Sequence, residues 1–127
     1  DLAQTILDAV GLPHHPGMQG KSLLPIIKGE SGSEHHREDV YCEYYNAMPW
    51  HQEPTAQTTM VRTKQYKLTV AHGLDEGELY DLENDPNETN NLWYNPEFLS
   101  VKVEMLKRLC DRMAWTVDPL PQRRAAW

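Results

Sequence analysis

Residues 58–82 read TTMVRTKQYKLTVAHGLDEGELYDL. This stretch decides the architecture. Thr58–Thr63 and Gln65–His72 both have the composition of strands, and in the second Tyr66, Leu68 and Val70 alternate with Lys67 and Thr69. A period of two places the first set on one face and the second on the other. Gly73-Leu74-Asp75-Glu76-Gly77 is a turn, and Glu78–Leu82 returns as a further strand able to pair as a hairpin.

Upstream, Asp39–Tyr45 alternates Val40, Cys42 and Tyr44 against Tyr41, Glu43 and Tyr45, which predicts a strand aromatic on both faces. The 46–57 segment between these strands contains Pro49, Trp50, His51 and Pro54 and reads as a long loop. Downstream, Asn84-Asp85-Pro86-Asn87 is a tight turn. From Pro96 a long helix is predicted, with Leu99, Val103, Leu106, Cys110 and Met113 as its apolar stripe. At the start of the chain, Asp1–Val10 reads as a helix with Leu2, Ile6 and Val10 on one face, stopped by Gly11 and Pro13. A short helix over Leu23–Lys28 carries Pro25 in its first turn and is capped by Ser22. The expected fold is α+β: a four-stranded antiparallel sheet packed by a long C-terminal helix and preceded by short helices. The expected organisation is one domain, with linking helices and loop at 1–37, sheet plus helix at 38–115, and an extended tail at 116–127.

Composition sets limits. The chain has 127 residues, 39% of them hydrophobic, and a net charge of −7. That size suits one domain. The negative charge argues against a nucleic-acid backbone partner. No run approaches eighteen apolar residues, so no membrane span is expected. The chain begins with Asp1 rather than Met, so it is expected to be a piece of something longer.

Candidate chemistry is sparse. Glu78, Asp81, Glu83, Asp85 and Glu88 put five carboxylates within eleven residues. Asp81, Glu83 and Asp85 alternate as calcium ligands could, but Pro86 follows where a loop glycine is needed. The run reads as the way a strand stops, with Leu79 and Leu82 as anchors and with Glu88 and Asn90 bonding the turn. His14-His15 and His35-His36 read as solvated loop histidines, because adjacent side chains point apart and chelate poorly. Cys42 and Cys110 match no zinc spacing and are expected to be buried free thiols. Asn87-Glu88-Thr89 is a sequon that matters only in a secretory host. Arg62 and Lys64 read as solvated strand-end cations. No nucleophile elbow, Walker loop or dinucleotide loop is present. The most site-like residues are Trp50 and His51, an aromatic plate and a titratable donor set between two prolines.

Two stretches together carry a family resemblance. Asp1–Gly29, DLAQTILDAVGLPHHPGMQGKSLLPIIKG, and Met60–Leu92, MVRTKQYKLTVAHGLDEGELYDLENDPNETNNL, resemble the C-terminal portion of the sulfatase family, within the alkaline-phosphatase-like superfamily. The likeness covers about the first 115 residues. It implies that the acidic stretch is the last strand of the sheet and the turn that launches the helix. It also implies an enzyme that hydrolyses sulfate esters, using a formylglycine made from a Cys-x-Pro-Ser-Arg type motif and a divalent metal, usually calcium. In that family those motifs lie in the larger N-terminal domain. Neither Cys42 nor Cys110 fits the nucleophile motif, so no catalytic or metal residue is assigned here. The implied partners are the chain's own N-terminal sulfatase domain and, through it, a sulfate-ester substrate. Self-association through an exposed domain face or the tail is a further expectation. Loops of the C-terminal part approach the substrate cleft in the family, which makes Trp50 and His51 substrate-rim candidates. The alternatives are the same region of a phosphonate monoester hydrolase or phosphodiesterase, and a non-enzymatic binding or oligomerisation module.

Overall fold

A computed structural model describes residues 1–15, 17–30, 32, 35–45 and 57–116. The chain divides into two compact units, one made of Asp1–Arg37 with Thr116 and one of Glu38–Trp115. In the first, helix α1 spans Leu2–Ala9 and helix α2 spans Leu24–Ile27. Gly11 and Gly29, at φ 71° and 66°, end the two helices in the left-handed region that glycine enters without strain. Pro25 occupies the first turn, as the sequence predicts, but the N-cap is Leu23 rather than Ser22, whose Oγ accepts from the Leu24 N–H at 3.2 Å. The Leu23 N–H donates to Thr5 Oγ1 at 2.9 Å, which ties α2 to α1. The buried residue of α1 is Gln4, whose Nε2 donates to the Met18 carbonyl at 3.0 Å. The stripe of Leu2, Ile6 and Val10 is exposed, at 73%, 64% and 63%.

The second unit is an antiparallel meander of strands β1 (Val40–Tyr45), β2 (Gln57–Arg62), β3 (Tyr66–Ala71) and β4 (Glu76–Asp81), in the order β1-β2-β3-β4. Its register aligns Tyr41 with Val61, Val61 with Leu68, and Leu68 with Leu79. One row of side chains therefore crosses the whole sheet on one face. Val61, Leu68 and Leu79 are fully buried in it. Each contributes roughly 1.5–3 kcal/mol through removal of apolar surface from water. A 3-10 turn at Pro96–Phe98 leads into helix α3, Leu99–Trp115, which lays Met105 and Leu109 on this row, each 2% exposed. Leu92 completes the buried cluster.

The structure corrects the predicted helix stripe. Leu99 and Val103 are more than half exposed and Cys110 is exposed. The face in contact is Val101, Met105 and Leu109, with Phe98, Leu106 and Met113 beside them. Both faces carry apolar residues at helical spacing, so periodicity does not choose between them. Anchors at each end choose. Asn95 caps the 3-10 turn by accepting from the Glu97 N–H at 3.0 Å, and Lys102 Nζ donates to the Trp93 carbonyl at 2.7 Å. Further along, Arg108 and Arg112 both pair with Asp39. These contacts rotate α3 so that Met105, not Val103, meets the sheet.

The predicted burial of the two cysteines is also overturned. Both are free and exposed. Cys42 falls on the sheet face opposite Tyr41, away from α3, and Cys110 lies one residue past the buried Leu109.

The acidic stretch is a folded turn. Asp81, 7% exposed, accepts from the Glu83 N–H at 3.1 Å and from Asn84 Nδ2 at 2.8 Å. Asp85 accepts from Thr89 Oγ1 at 2.9 Å and from the Asn90 N–H at 2.8 Å. These bonds hold its carboxyl below the ordinary value of 3.8, the Asn90 amide contributing most. Asp81 and Asp85, rather than the expected Glu88 and Asn90 side chains, bind the turn backbone. Glu88 sits at φ 55° and pairs with Lys67 across the sheet.

Candidate functional site

Trp50 and His51 fall in the 46–56 stretch, outside the described residues. The structure does describe where that stretch leaves and returns. Tyr45 and Gln57 are register partners at one end of the sheet. The stretch therefore begins and ends on adjacent strands.

A polar cluster gathers at that same end, on the face that carries Tyr41 and Val61. Glu43 lies opposite Thr59, and Thr59 opposite Val70. Two residues beyond Val70, His72 reaches back so that its Nε2 and Thr59 Oγ1 are 2.7 Å apart. The His72 N–H donates to the Gln57 carbonyl at 2.8 Å, which fixes the imidazole beside the root of the 46–56 stretch. Tyr41 donates its hydroxyl proton to Glu43 Oε2 at 2.8 Å. Burial first, and then the hydrogen bonds with Glu43 and Tyr45, push the Tyr41 hydroxyl far above its ordinary value. Tyr41 is thus a neutral donor across the working pH range, oriented by a carboxylate. Tyr45, on the same face, is 47% exposed. The arrangement offers a hydroxyl donor, a carboxylate acceptor, an imidazole and aromatic edges. Those groups can bind a polar ligand; the Thr59 hydroxyl beside His72 is fully buried, so the pair does not present a nucleophile to a substrate.

Sequence reasoning missed His72 and Glu43. The signal for their face was present, since His72 extends the alternation of Tyr66, Leu68 and Val70 by one step. What placed them next to the 46–56 stretch was strand register.

The other candidates separate. His14 Nε2 lies 2.5 Å from Asp8 Oδ1, while His15 Nδ1 accepts from the Gly17 N–H at 3.1 Å, so the adjacent rings serve different partners. His36 Nε2 lies 3.2 Å from Asp1 Oδ2. Desolvation, then the neighbouring Arg37 and Lys21 charges, hold the His36 ring below its ordinary value. Among the described residues no three His, Cys, Asp or Glu side chains converge to hold a metal ion. The described residues do not fit a divalent-metal site.

Asp39 forms a second polar constellation. Its carboxylate meets Arg108 Nη1 at 3.0 Å and Arg112 Nη2 at 2.5 Å, the latter an ion-pair contact outside hydrogen-bond geometry. Glu38, Lys107 and Asp111 line the same shallow depression. Charges of both signs compensate one another there, so it favours neither an anion nor a cation. It braces α3 against the start of β1.

These features define an α+β domain of antiparallel meander and covering helix, with a polar cluster at one sheet end and no metal-binding group among its described residues. Over residues 1–114 the sequence matches the family described as N-sulphoglucosamine sulphohydrolase, C-terminal. The chain belongs to that family and is a sulfatase C-terminal domain.

Individual relatives agree. An N-acetylglucosamine-6-O-sulfatase of Bacteroides thetaiotaomicron is 31% identical over 86% of this chain and 20% of its own length. A Delta 4,5-hexuronate-2-O-sulfatase of the same organism is 32% identical over 93% of this chain and 24% of its own. An uncharacterized Haemophilus influenzae protein is 32% identical over 94% of this chain and 58% of its own. The chain thus spans between 20% and 58% of these relatives. Among solved structures, a 2-O GAG sulfatase superposes with a TM-score of 0.80 at 28% identity, over 91% of this chain and 24% of that one. A phosphonate monoester hydrolase from Silicibacter pomeroyi superposes with a TM-score of 0.77 at 25% identity, over 93% of this chain and 25% of that one.

Proposed function

We propose that this chain works as the C-terminal domain of a longer sulfatase, a sulfuric-ester hydrolase whose chemistry is supplied by the preceding part of the protein. The observation that carries the reading is the match over residues 1–114 to a sulfatase C-terminal family, in a chain that spans 20% and 24% of two sulfatases it resembles. In this reading the formylglycine and the divalent metal, calcium, belong to the upstream domain, which is the chain's principal partner. Residues 1–37 link the two parts, 38–115 form the sheet-and-helix body, and 116–127 are a tail. The domain contributes at the substrate rim: Trp50 and His51 face a sulfated carbohydrate, and Tyr41, Glu43 and His72 support the strand ends that carry them. The carbohydrate class follows the sulfatases named above.

The test is made on the full-length parent, with purified protein and a panel of sulfated monosaccharides, aryl sulfates and phosphonate monoesters. Sulfate-ester turnover is the expected result. Trp50→Ala and His51→Ala are each expected to raise KM at least as much as they lower kcat, as loss of substrate binding does. Unchanged kinetics toward every ester in both variants would remove the rim assignment. A second reading, a phosphonate monoester hydrolase, is favoured by the structural likeness to the Silicibacter pomeroyi enzyme. Turnover of phosphonate monoesters with none of sulfate esters would select it.

A further inference from the structure

One half of the sheet has an apolar face whose β1 row is exposed and whose β2 row is half-buried. We propose that this face, built from Val40, Cys42, Tyr44 and Met60, is the surface by which the domain docks on the preceding part of its own longer chain. The inference rests on the reading that such a part exists, and it says which side of the domain meets it.

Strand alternation makes the assignment. Tyr41 and Val61 point to the side on which α3 packs, so Val40, Cys42 and Tyr44 point to the other. Register sets Met60 beside Cys42 and Thr58 beside Tyr44. Val40 is 48% exposed and Tyr44 40%, and Cys42 is exposed. An antiparallel sheet that turns one face to water normally makes that face polar. Here Val40, Cys42, Tyr44, Thr58 and Met60 bring no charge, and Arg62 enters only at the end of the row. The β3–β4 half of the same face is covered at Tyr80 and carries the exposed charges of Glu76 and Glu78 beyond it. The Lys67 ammonium lies 5.7 Å over the Tyr80 ring and pairs with Glu88 from the following turn, leaving Tyr80 9% exposed. Among the described residues of this face, the β1–β2 half is the part that is both uncharged and exposed along β1, which is the composition of a surface awaiting a cover.

Within the Glu38–Trp115 unit, the outer side of α3 is the competing surface. Leu99, Val103 and Cys110 are exposed there, but charges interrupt them. Glu104 and Lys107 have side chains 74% and 75% exposed, and Lys107 pairs with Asp111 at 2.7 Å. A helix side laced with such pairs suits water. The length of the relatives supplies the occupant, because roughly three quarters or more of each of two sulfatases lies outside the region this chain matches.

The two free thiols mark the two competing surfaces, Cys42 on the sheet and Cys110 on the helix. Alkylation with N-ethylmaleimide, followed by peptide mass spectrometry, reads both in one sample. In the 127-residue chain both should label. In the full-length parent Cys110 should label at its earlier rate and Cys42 about tenfold or more slowly, as for a site opened only by local unfolding. Tyr44→Asp in the parent should restore Cys42 labelling by placing a charge in the interface. Equal labelling of the two thiols in the parent overturns the proposal. Selective protection of Cys110 also overturns it, in favour of the helix. Slow Cys42 labelling in both proteins overturns it too, since the cover would then lie within the 127 residues. Ester turnover by the same parent sample reports separately on the sulfatase reading, so an active parent with a reactive Cys42 refutes the face and leaves the function standing.

Discussion

Replacing Gly77 with alanine tests whether the turn after β4 is packed as tightly as the structure shows. Gly77 lies opposite Val70 on the covered face of the sheet. An added Cβ would sit 2.6 Å from Trp93 Cη2 and Cζ3 and 2.7 Å from Cε3. Carbon atoms pack at about 3.5–4.0 Å, so the indole must retreat by roughly 1 Å. Its backbone is held on both sides. The Trp93 N–H donates to Asn91 Oδ1 at 3.0 Å, and the Trp93 carbonyl accepts from Lys102 Nζ at 2.7 Å. Asn91 itself is tied to β4, accepting from the Leu79 N–H and donating to the Gly77 carbonyl, each at 3.0 Å. Overpacking costs about 1–3 kcal/mol. Loss of glycine's unfolded-state freedom returns about 0.4–1 kcal/mol. The net expectation is a loss of about 1–2 kcal/mol, a fall in urea midpoint of roughly 0.5–1 M. In a Trp93→Ala background the same substitution should be neutral or slightly stabilising. A double-mutant cycle by urea denaturation measures the difference, expected to be about 1 kcal/mol or more. If Gly77→Ala is silent, or costs the same with and without the indole, the packing argument fails.

Asp39→Asn keeps the shape of a carboxylate 3% exposed but removes the charge that Arg108 and Arg112 face. Breaking a buried pair costs roughly 3–5 kcal/mol, and because both arginines are about one third exposed the expected loss is about 2 kcal/mol; thermal denaturation with no change would show the brace to be idle. Asp85 has a depressed folded value, so its contribution to stability is present above 3.8, the ordinary value, and disappears as pH falls through the lower folded one. Urea midpoints measured from pH 5 down to about pH 2 should fall less steeply for Asp85→Asn than for the parent sequence, and parallel slopes would contradict this. Tyr41 has the opposite sign: its raised value gives stability present below about pH 10 and lost as pH climbs through the folded value. In a spectrophotometric titration Tyr41→Phe should therefore remove the latest-ionising phenol, and removal of an early one would refute the assignment.

Much of the domain was legible in its residues because the relevant physics is local. Alternation at Tyr66, Leu68 and Val70 marked a strand and its faces, and Asp85-Pro86 marked the turn after β4. The candidate site was less legible. Trp50 and His51 stood out by composition, but Glu43 and His72 are 29 residues apart in sequence and share Thr59 as a neighbour only through the pairing of β1 with β2 and β2 with β3. Nothing within either strand announces that neighbour. The same limit applies to α3, where periodicity put Leu99, Val103 and Cys110 in the stripe although Val101, Met105 and Leu109 are the residues that pack.

The sequence by itself determined the order of elements, the meander, the structural nature of the acidic turn and the family. Each depends on residues adjacent in the chain or one period apart, where steric and hydrogen-bonding preferences act directly. Tertiary structure alone decided that Met105 and Leu109, not Val103 and Cys110, enter the core, and that both thiols lie on the surface. It also decided that Asp39 holds two arginines 69 and 73 residues away. Except for Cys42, which lies on the sheet face away from α3, those outcomes depend on the rotation of one helix about its axis. That rotation is set at one end by residues just before the helix, Trp93 and Asn95, and at the other by Asp39, which lies far off in sequence.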